Sequence, residues 1–127
     1  MKLKSFLIIG IVILIIIFAV PIVKMQVSKS CSKINAVSRT VIMKEDVFEP
    51  QTLTIQKCTQ VTFKNQDKNA HWPASNLHPT HGIYPEFDPK QPIEAGKDWS
   101  FVFDRFGKWR YHDHLSPSTR GVIEVKE

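Results

Sequence analysis

Cysteine is scarce in this 127-residue chain, and none follows Cys58. The only other cysteine is Cys31. A metal ligand of the thiolate type is therefore excluded from residues 59–127. In an oxidising compartment the two cysteines could form a disulfide, whereas two unpaired thiols are the alternative, because the bond requires a geometry that sequence does not fix.

The sequence also lacks a basic block, a sustained helical repeat after its first residues and an evident Ser-His-Asp order. It carries 17 Lys and Arg against 12 Asp and Glu, a formal charge of +5, but the basic residues are spread along the chain. Nucleic-acid binding normally shows a basic stripe or a recognisable motif. Neither a nucleic-acid partner nor a hydrolase is predicted.

One long apolar run is present, at residues 6–23, and it is long enough to cross a bilayer as a helix. Lys2 and Lys4 precede it, which favours a cytoplasmic amino terminus. A cleaved signal peptide is the alternative, but residues 21–26 contain no small-x-small cleavage site. We expect an uncleaved single-pass anchor in the cell membrane, with the rest of the chain extracytoplasmic.

The predicted organisation is an anchor at residues 1–23, a polar tether at 24–38 and one domain at 39–127. Short alternating apolar segments separated by turn signals predict an all-β sandwich for the domain. We expect strands at residues 39–43, 53–56, 60–64, 99–103, 109–111 and 121–126.

Two stretches of the domain are predicted to be irregular. Residues 46–50 are expected to form a break, because Pro50 interrupts regular pairing. Residues 73–92 hold five of the eight prolines and are expected to form a long loop. Tyr84 and Phe87 within that loop predict that it packs against the body of the domain.

All five histidines lie between positions 71 and 114. Imidazole is the commonest metal ligand near neutral pH, so this clustering predicts a metal site. His112 and His114 project from the same face of an extended strand. Imidazole donors suit Cu(II), with zinc and nickel as competitors. Glu86 and Asp88 could add a carboxylate, although solvated or structural roles are the simpler interpretation.

Several motifs together resemble the cupredoxin family over about residues 39–126. They are Phe48-x-Pro50, Leu53-Thr54-Ile55, Val61-Thr62-Phe63-x-Asn65-x-Asp67 before His71, Gly107-x-Trp109-x-Tyr111, and the closing strand at 121–125. The resemblance implies a Greek-key cupredoxin-like β-sandwich or barrel with copper ligands at one end. It makes His71 one ligand and takes the others from the loop between the last two strands.

The chain departs from the blue-copper pattern in that last loop. The positions that resemble those of the cysteine, histidine and methionine ligands hold Asp113, Ser116 and Thr119. A thiolate-copper site is therefore absent, and so is the usual basis for rapid electron transfer.

Two histidine pairs resemble another branch of the family instead. Tyr111-His112-Asp113-His114 is similar to the Tyr-His-x-His segment of multicopper oxidases, and His78-Pro79-Thr80-His81 to their His-Pro-x-His segment. In those oxidases the paired histidines bind copper between two cupredoxin domains. The resemblance implies that a similar cluster here would need a homo-oligomer.

The leading hypothesis is a membrane-anchored, extracytoplasmic copper-binding protein that holds or passes copper at a histidine-rich, thiolate-free site. The expected ligands, in order, are His71, His112, His114, His81 and His78. A copper donor, copper acceptor or redox protein would be its partner. One alternative is a redox protein, either an electron carrier or a small copper oxidase or reductase. A second is a metal-free structural or interaction module. The sequence shows no substrate pocket, so copper binding is a better-supported function than catalysis. Whether the protein is also an enzyme is left open.

Overall fold

The computed structural model describes Cys31 and residues 37–127. This part is an all-β sandwich, as the strand pattern predicts, and it contains no helix of a length and apolarity that could span a membrane. The predicted anchor lies outside the described residues, as does most of the predicted tether.

Eight strands form two four-stranded sheets. The strands are β1 (Arg39–Lys44), β2 (Val47–Glu49), β3 (Thr52–Gln56), β4 (Thr59–Asn65), β5 (Pro73–Ser75), β6 (Asp98–Phe103), β7 (Gly107–Asp113) and β8 (Arg120–Lys126). One sheet has the order β2-β1-β4-β6 and the other β3-β8-β7-β5. The β1–β4 and β3–β8 pairs are parallel, and the remaining pairs are antiparallel.

Two short strands, β2 and β5, correct the expectation of irregular structure. Residues 47–49 pair with β1, and β5 pairs with β7 where the start of the long loop was predicted. Both strands lie at the edge of a sheet. Proline is tolerated as the first residue of an edge strand, which is the position of Pro73.

An aromatic core fills the space between the sheets. Val61 and Phe63 alternate inward from β4, and both are fully buried. The ring of Phe63 lies 5.4 Å from that of Phe87 and 5.5 Å from that of Tyr111. Because Phe87 comes from the long loop after β5, the predicted packing of this loop against the domain is confirmed.

The loop is also hydrogen-bonded to the sheet that carries β7. Ser75 donates its N–H to the carbonyl of Phe87 at 2.9 Å, and its hydroxyl accepts the N–H of Tyr84 at 2.8 Å. The buried Tyr84 hydroxyl bonds to the carboxylate of Asp104. These contacts fix the loop along its length, so side chains on it have defined positions.

A disulfide joins Cys31 to Cys58 and marks one end of the sandwich. The turn that carries Cys58 is tied to the last residues of two strands, with its N–H bonded to Phe103 and that of Lys57 bonded to Lys126. Strand β8 runs from the opposite end to this one, a distance of about 20 Å. The histidines lie at that opposite end, where β7 finishes and β8 begins.

Candidate metal centre

Four imidazoles converge at the end of the sandwich away from the disulfide. They belong to His78, His81, His112 and His114, and one ring nitrogen from each lies within 4.8 Å of the others. Nε2 of His81 is 2.9 Å from Nδ1 of His114, and Nδ1 of His78 is 3.2 Å from Nε2 of His112. No other such group of potential metal ligands occurs in the part of the chain that the structure describes.

Strand β7 and the residue that follows it supply two of these histidines. His112 is in the strand, paired with Ala74 on one side and Arg120 on the other. His114 follows the strand, and its N–H donates to the carbonyl of Trp72 at 2.8 Å. The intervening Asp113 turns to the other side, as strand alternation predicts.

The long loop supplies the other two. Asn76 connects the loop to β7, because its N–H donates to the carbonyl of Arg110 at 3.0 Å. The carbonyl of Asn76 accepts the N–H of Ile83 at 2.8 Å, which closes the segment between them into a compact turn. Within that turn the N–H of His81 bonds to the carbonyl of Leu77. His78 and His81 are thereby brought over β7.

Polar partners orient two of the four rings. The carboxylate of Asp88 lies 2.7 Å from Nδ1 of His81, and the amide oxygen of Asn76 lies 3.1 Å from Nδ1 of His112. Each oxygen accepts the Nδ1 proton, which leaves the Nε2 lone pair of the neutral ring free. Both Nε2 nitrogens face the cluster, where they lie within hydrogen-bond distance of Nδ1 of His114 and Nδ1 of His78. This is the arrangement by which outer partners prepare histidines for metal binding.

Trp72 connects these outer contacts to the cluster. Its indole N–H donates to Asp88 at 2.8 Å, and its ring packs 4.6 Å from that of His114. Its backbone N–H donates to Asp113 at 2.9 Å. One carboxylate, that of Asp88, therefore holds both the ring of His81 and the indole that supports the ring of His114.

Two of the four rings, those of His112 and His114, have lowered pKa values. Burial, together with the neighbouring His81, His78 and His114, lowers the pKa of His112 to about 4. Burial and the neighbouring His81 and His78 also lower the pKa of His114. Although burial opposes it, hydrogen bonds from Lys90, His81 and Trp72 hold the pKa of Asp88 well below its usual range. A metal ion would therefore meet little competition from protons at His112.

The donor set fits one transition-metal ion. Two nitrogens bound to an ion at about 2.0 Å with a tetrahedral angle lie about 3.3 Å apart. Two of the six separations among the four nitrogens, 2.9 and 3.2 Å, are close to that value, and all six lie within 4.8 Å. Four nitrogen donors without a thiolate suit copper, zinc or nickel, among which copper has the highest intrinsic affinity.

His71, the first of the expected ligands, lies outside this cluster. Its Nδ1 is 2.6 Å from Asp113 and its Nε2 is 3.0 Å from Asp67, so both ring nitrogens already have carboxylate partners. The positions that resemble the family's first histidine and its cysteine thus form a buried hydrogen-bonded pair. The resemblance correctly predicts that His71 reaches this end of the sandwich. Its expected place among the clustered histidines is wrong, because its ring nitrogens face Asp113 and Asp67.

Sequence reasoning identified the four clustered histidines but missed part of their support. Asp88 was expected to be solvated or structural, and it is buried against His81, whereas Glu86 is exposed and paired with Arg105. Nothing in the sequence marks Asn76 as the partner of His112, because their contact joins residues 36 positions apart.

No protein-family model matches the sequence, and no curated protein matches it. Solved structures do resemble it. A purple cupredoxin from Nitrosopumilus maritimus is 23% identical, with a TM-score of 0.61, over 69% of this chain and 99% of that one. A reduced amicyanin variant is 20% identical, with a TM-score of 0.62, over 74% and 87% of the respective chains.

A copper-containing nitrite reductase from Thermus scotoductus SA-01 is also similar, at 23% identity and a TM-score of 0.61. The match covers 78% of this chain but only 26% of the reductase. At these identities the likeness shows the fold alone. The domain therefore has a cupredoxin-like fold, as the sequence motifs predict.

Proposed function

We propose that this protein binds one copper ion through His78, His81, His112 and His114, and that it holds or passes copper outside the cytoplasmic membrane. The observation that carries the proposal is the convergence of four ring nitrogens within 4.8 Å. The depressed pKa of His112 and the outer partners of His81 and His112 support it, because both favour neutral rings with free lone pairs.

Copper is preferred to zinc on the chemistry of the donors. All four are imidazole nitrogens, and copper outranks zinc in intrinsic affinity for such donors. Imidazole ligands without a thiolate can bind Cu(II) and Cu(I), but they do not give the strong blue-copper chromophore. One structural neighbour is a copper-containing nitrite reductase, which is consistent with this choice.

The proposed location depends on residues 1–23 acting as an anchor. The Cys31–Cys58 disulfide supports an oxidising, extracytoplasmic compartment, because such bonds persist there. The disulfide also joins the chain that follows the anchor to the end of the sandwich opposite the histidines. In this arrangement the copper centre faces away from the membrane and towards a donor or acceptor protein.

A redox role is the second candidate, and the exposure of His78 favours it. A ligand ring at the protein surface can contact an electron donor or acceptor directly. A midpoint potential within the physiological range and rapid electron exchange with a small redox mediator would favour this role. Slow exchange with ready copper transfer would favour copper handling.

Titrating the full chain in detergent with Cu(II), followed by electron paramagnetic resonance and optical absorption, tests the proposal. We expect one Cu(II) per chain, hyperfine coupling to imidazole nitrogens and no intense thiolate absorption. His112→Ala and His81→Ala should abolish stoichiometric binding. Thr80→Ala, an exposed position in the same turn, is the matched control and should bind normally.

Two results would contradict the proposal. If neither copper nor zinc binds stoichiometrically, the metal site is wrong and a structural or interaction module remains. If His112→Ala binds copper like the unaltered chain, another set of ligands is responsible. Preferential retention of zinc in the presence of equal copper would change the metal assigned to the site.

A further inference from the structure

The four clustered histidines differ in how firmly the protein holds them. His112 is fixed by backbone pairing on both sides of β7 and by the amide oxygen of Asn76. His81 is fixed by a backbone bond to Leu77 and by the carboxylate of Asp88, and both it and His112 are buried. These two rings cannot leave the cluster without breaking hydrogen bonds.

His114 is held by different contacts. Its N–H bonds to the carbonyl of Trp72 at 2.8 Å, and its ring packs on the indole at 4.6 Å. It is only partly exposed. Its ring therefore has a supporting surface on one side, although its second nitrogen has no polar partner of the kind that His81 and His112 have.

His78 has none of these supports, and its side-chain hydrogen bond lies within the cluster, between its Nδ1 and Nε2 of His112 at 3.2 Å. Its side chain is exposed, and the two residues after it, Pro79 and Thr80, are exposed as well. Its ring contacts are with other histidines, with centroids 5.2 Å from that of His112 and 4.7 Å from that of His114. Among the described residues, no side chain or carbonyl accepts a hydrogen bond from its Nε2. His78 is therefore the ring that moves at the lowest cost.

Resting on the proposed function, we propose that His78 is the exchangeable ligand of the copper centre. When its ring swings out, His81, His112 and His114 keep the ion, and one coordination position opens to the solvent. A site with three protein ligands and an open position accepts an external ligand. The incoming ligand is a single imidazole or thiolate, offered by a copper donor or acceptor protein.

This assignment gives copper transfer a defined route. Copper enters and leaves through intermediates in which this protein and its partner both bind the ion. The ion is therefore not released into the solvent. The side chains of Asp88 and Asn76 keep two of the remaining rings in place throughout. The structure thus separates the centre into three retaining ligands and one exchanging ligand.

The test compares His78→Ala with His112→Ala in the full chain, with Thr80→Ala as control. Copper stoichiometry and the rate of copper loss to excess chelator are measured with and without added imidazole. We expect His78→Ala to keep one copper per chain and to lose it about ten- to a hundredfold faster, by analogy with the loss of an ordered ligand partner. Added imidazole should slow this loss, and His112→Ala should not bind stoichiometrically.

The outcomes separate this inference from the proposed function. If the unaltered chain binds no copper, the proposed function itself fails. If it binds copper but His78→Ala releases it at the unaltered rate, or loses binding as completely as His112→Ala, the exchangeable role of His78 is overturned. Failure of imidazole to slow release from His78→Ala would overturn it as well, because no open position would then exist.

Discussion

Asp88 orients the ring of His81, one of the proposed copper ligands, and Asp88→Asn tests this role with almost no change in shape. In the native protein one carboxylate oxygen accepts the Nδ1 proton of His81 at 2.7 Å, and the other accepts the indole N–H of Trp72 at 2.8 Å. An ionised carboxylate can only accept hydrogen bonds, so it serves both donors.

The amide of asparagine cannot serve both. If its oxygen stays with Trp72, its NH₂ group faces Nδ1 of His81 and favours the tautomer with the proton on Nε2, the nitrogen that faces the cluster. If its oxygen faces His81, the NH₂ group faces the indole N–H of Trp72. Two donors would then meet where the native protein has a 2.8 Å hydrogen bond. One orientation blocks a ligand nitrogen, and the other displaces the indole that packs on His114.

The expected loss of copper affinity is about ten- to a hundredfold, or about 1.4–2.7 kcal/mol, the usual range when an outer partner of a ligand histidine is removed. Copper affinity would be measured by competition against a chelator of known affinity at pH 7. Glu86→Gln is the matched control, because it makes the same chemical change two residues away on an exposed carboxylate paired with Arg105. Its affinity should equal that of the unaltered chain.

Equal copper affinity in Asp88→Asn and Glu86→Gln would refute this reasoning. It would mean that His81 either does not bind through Nε2 or does not need its partner. A loss of affinity accompanied by a large fall in stability would leave the orienting role unproved. The free energy of unfolding of the metal-free variant is therefore measured alongside, and we expect the paramagnetic resonance spectrum of its copper form to change as well.

Two further predictions concern the scaffold. The Tyr111 hydroxyl is buried with no hydrogen-bond partner among the described residues, so Tyr111→Phe should leave urea stability unchanged or raise it by about 1 kcal/mol. Tyr84→Phe removes a hydroxyl bonded to Asp104 and should lower the free energy of unfolding by about 1–3 kcal/mol. If Tyr111→Phe were the less stable of the two variants, the assigned contacts would be contradicted. The second prediction concerns pH: because the folded-state pKa of His112, about 4, lies below its ordinary 6.5, the unfolded chain takes up the proton first. The stability that neutral His112 contributes to the metal-free protein is thus complete above about pH 6.5 and falls as the pH drops to about 4. Urea unfolding at pH 7 and 4.5 should show a smaller change in the free energy of unfolding for His112→Asn than for the unaltered chain. An equal change in both would exclude His112 as the cause.

Much of the fold followed from local pattern. Alternation placed Val61 and Phe63 on one face of a strand, and both are buried in the core. The short edge strands were missed because their residues carry a weak signal. Pro73 in particular is compatible with a strand only at its first position on an edge, and sequence does not show which strand will be an edge.

The histidine cluster was partly predictable, because one pair of its members follows from side-chain alternation along a strand. His112 and His114 share a face because side chains alternate along any strand, so their pairing was visible without a structure. The ranking of the other histidines was not visible in this way. His71 was placed first through the family resemblance, yet its ring nitrogens face Asp113 and Asp67, and the less favoured His78 and His81 lie over β7.

The sequence by itself determined the all-β class, the absence of a thiolate from the last loop and the pool of imidazoles available to a metal. These depend on residue identity and on a period of two, which are local properties. Only the tertiary structure decided which four imidazoles meet, which partners orient them and which one remains exposed. Those outcomes depend on a long loop folding back over β7, where Asn76 and Asp88 meet rings brought to them by chain folding rather than by spacing in the sequence.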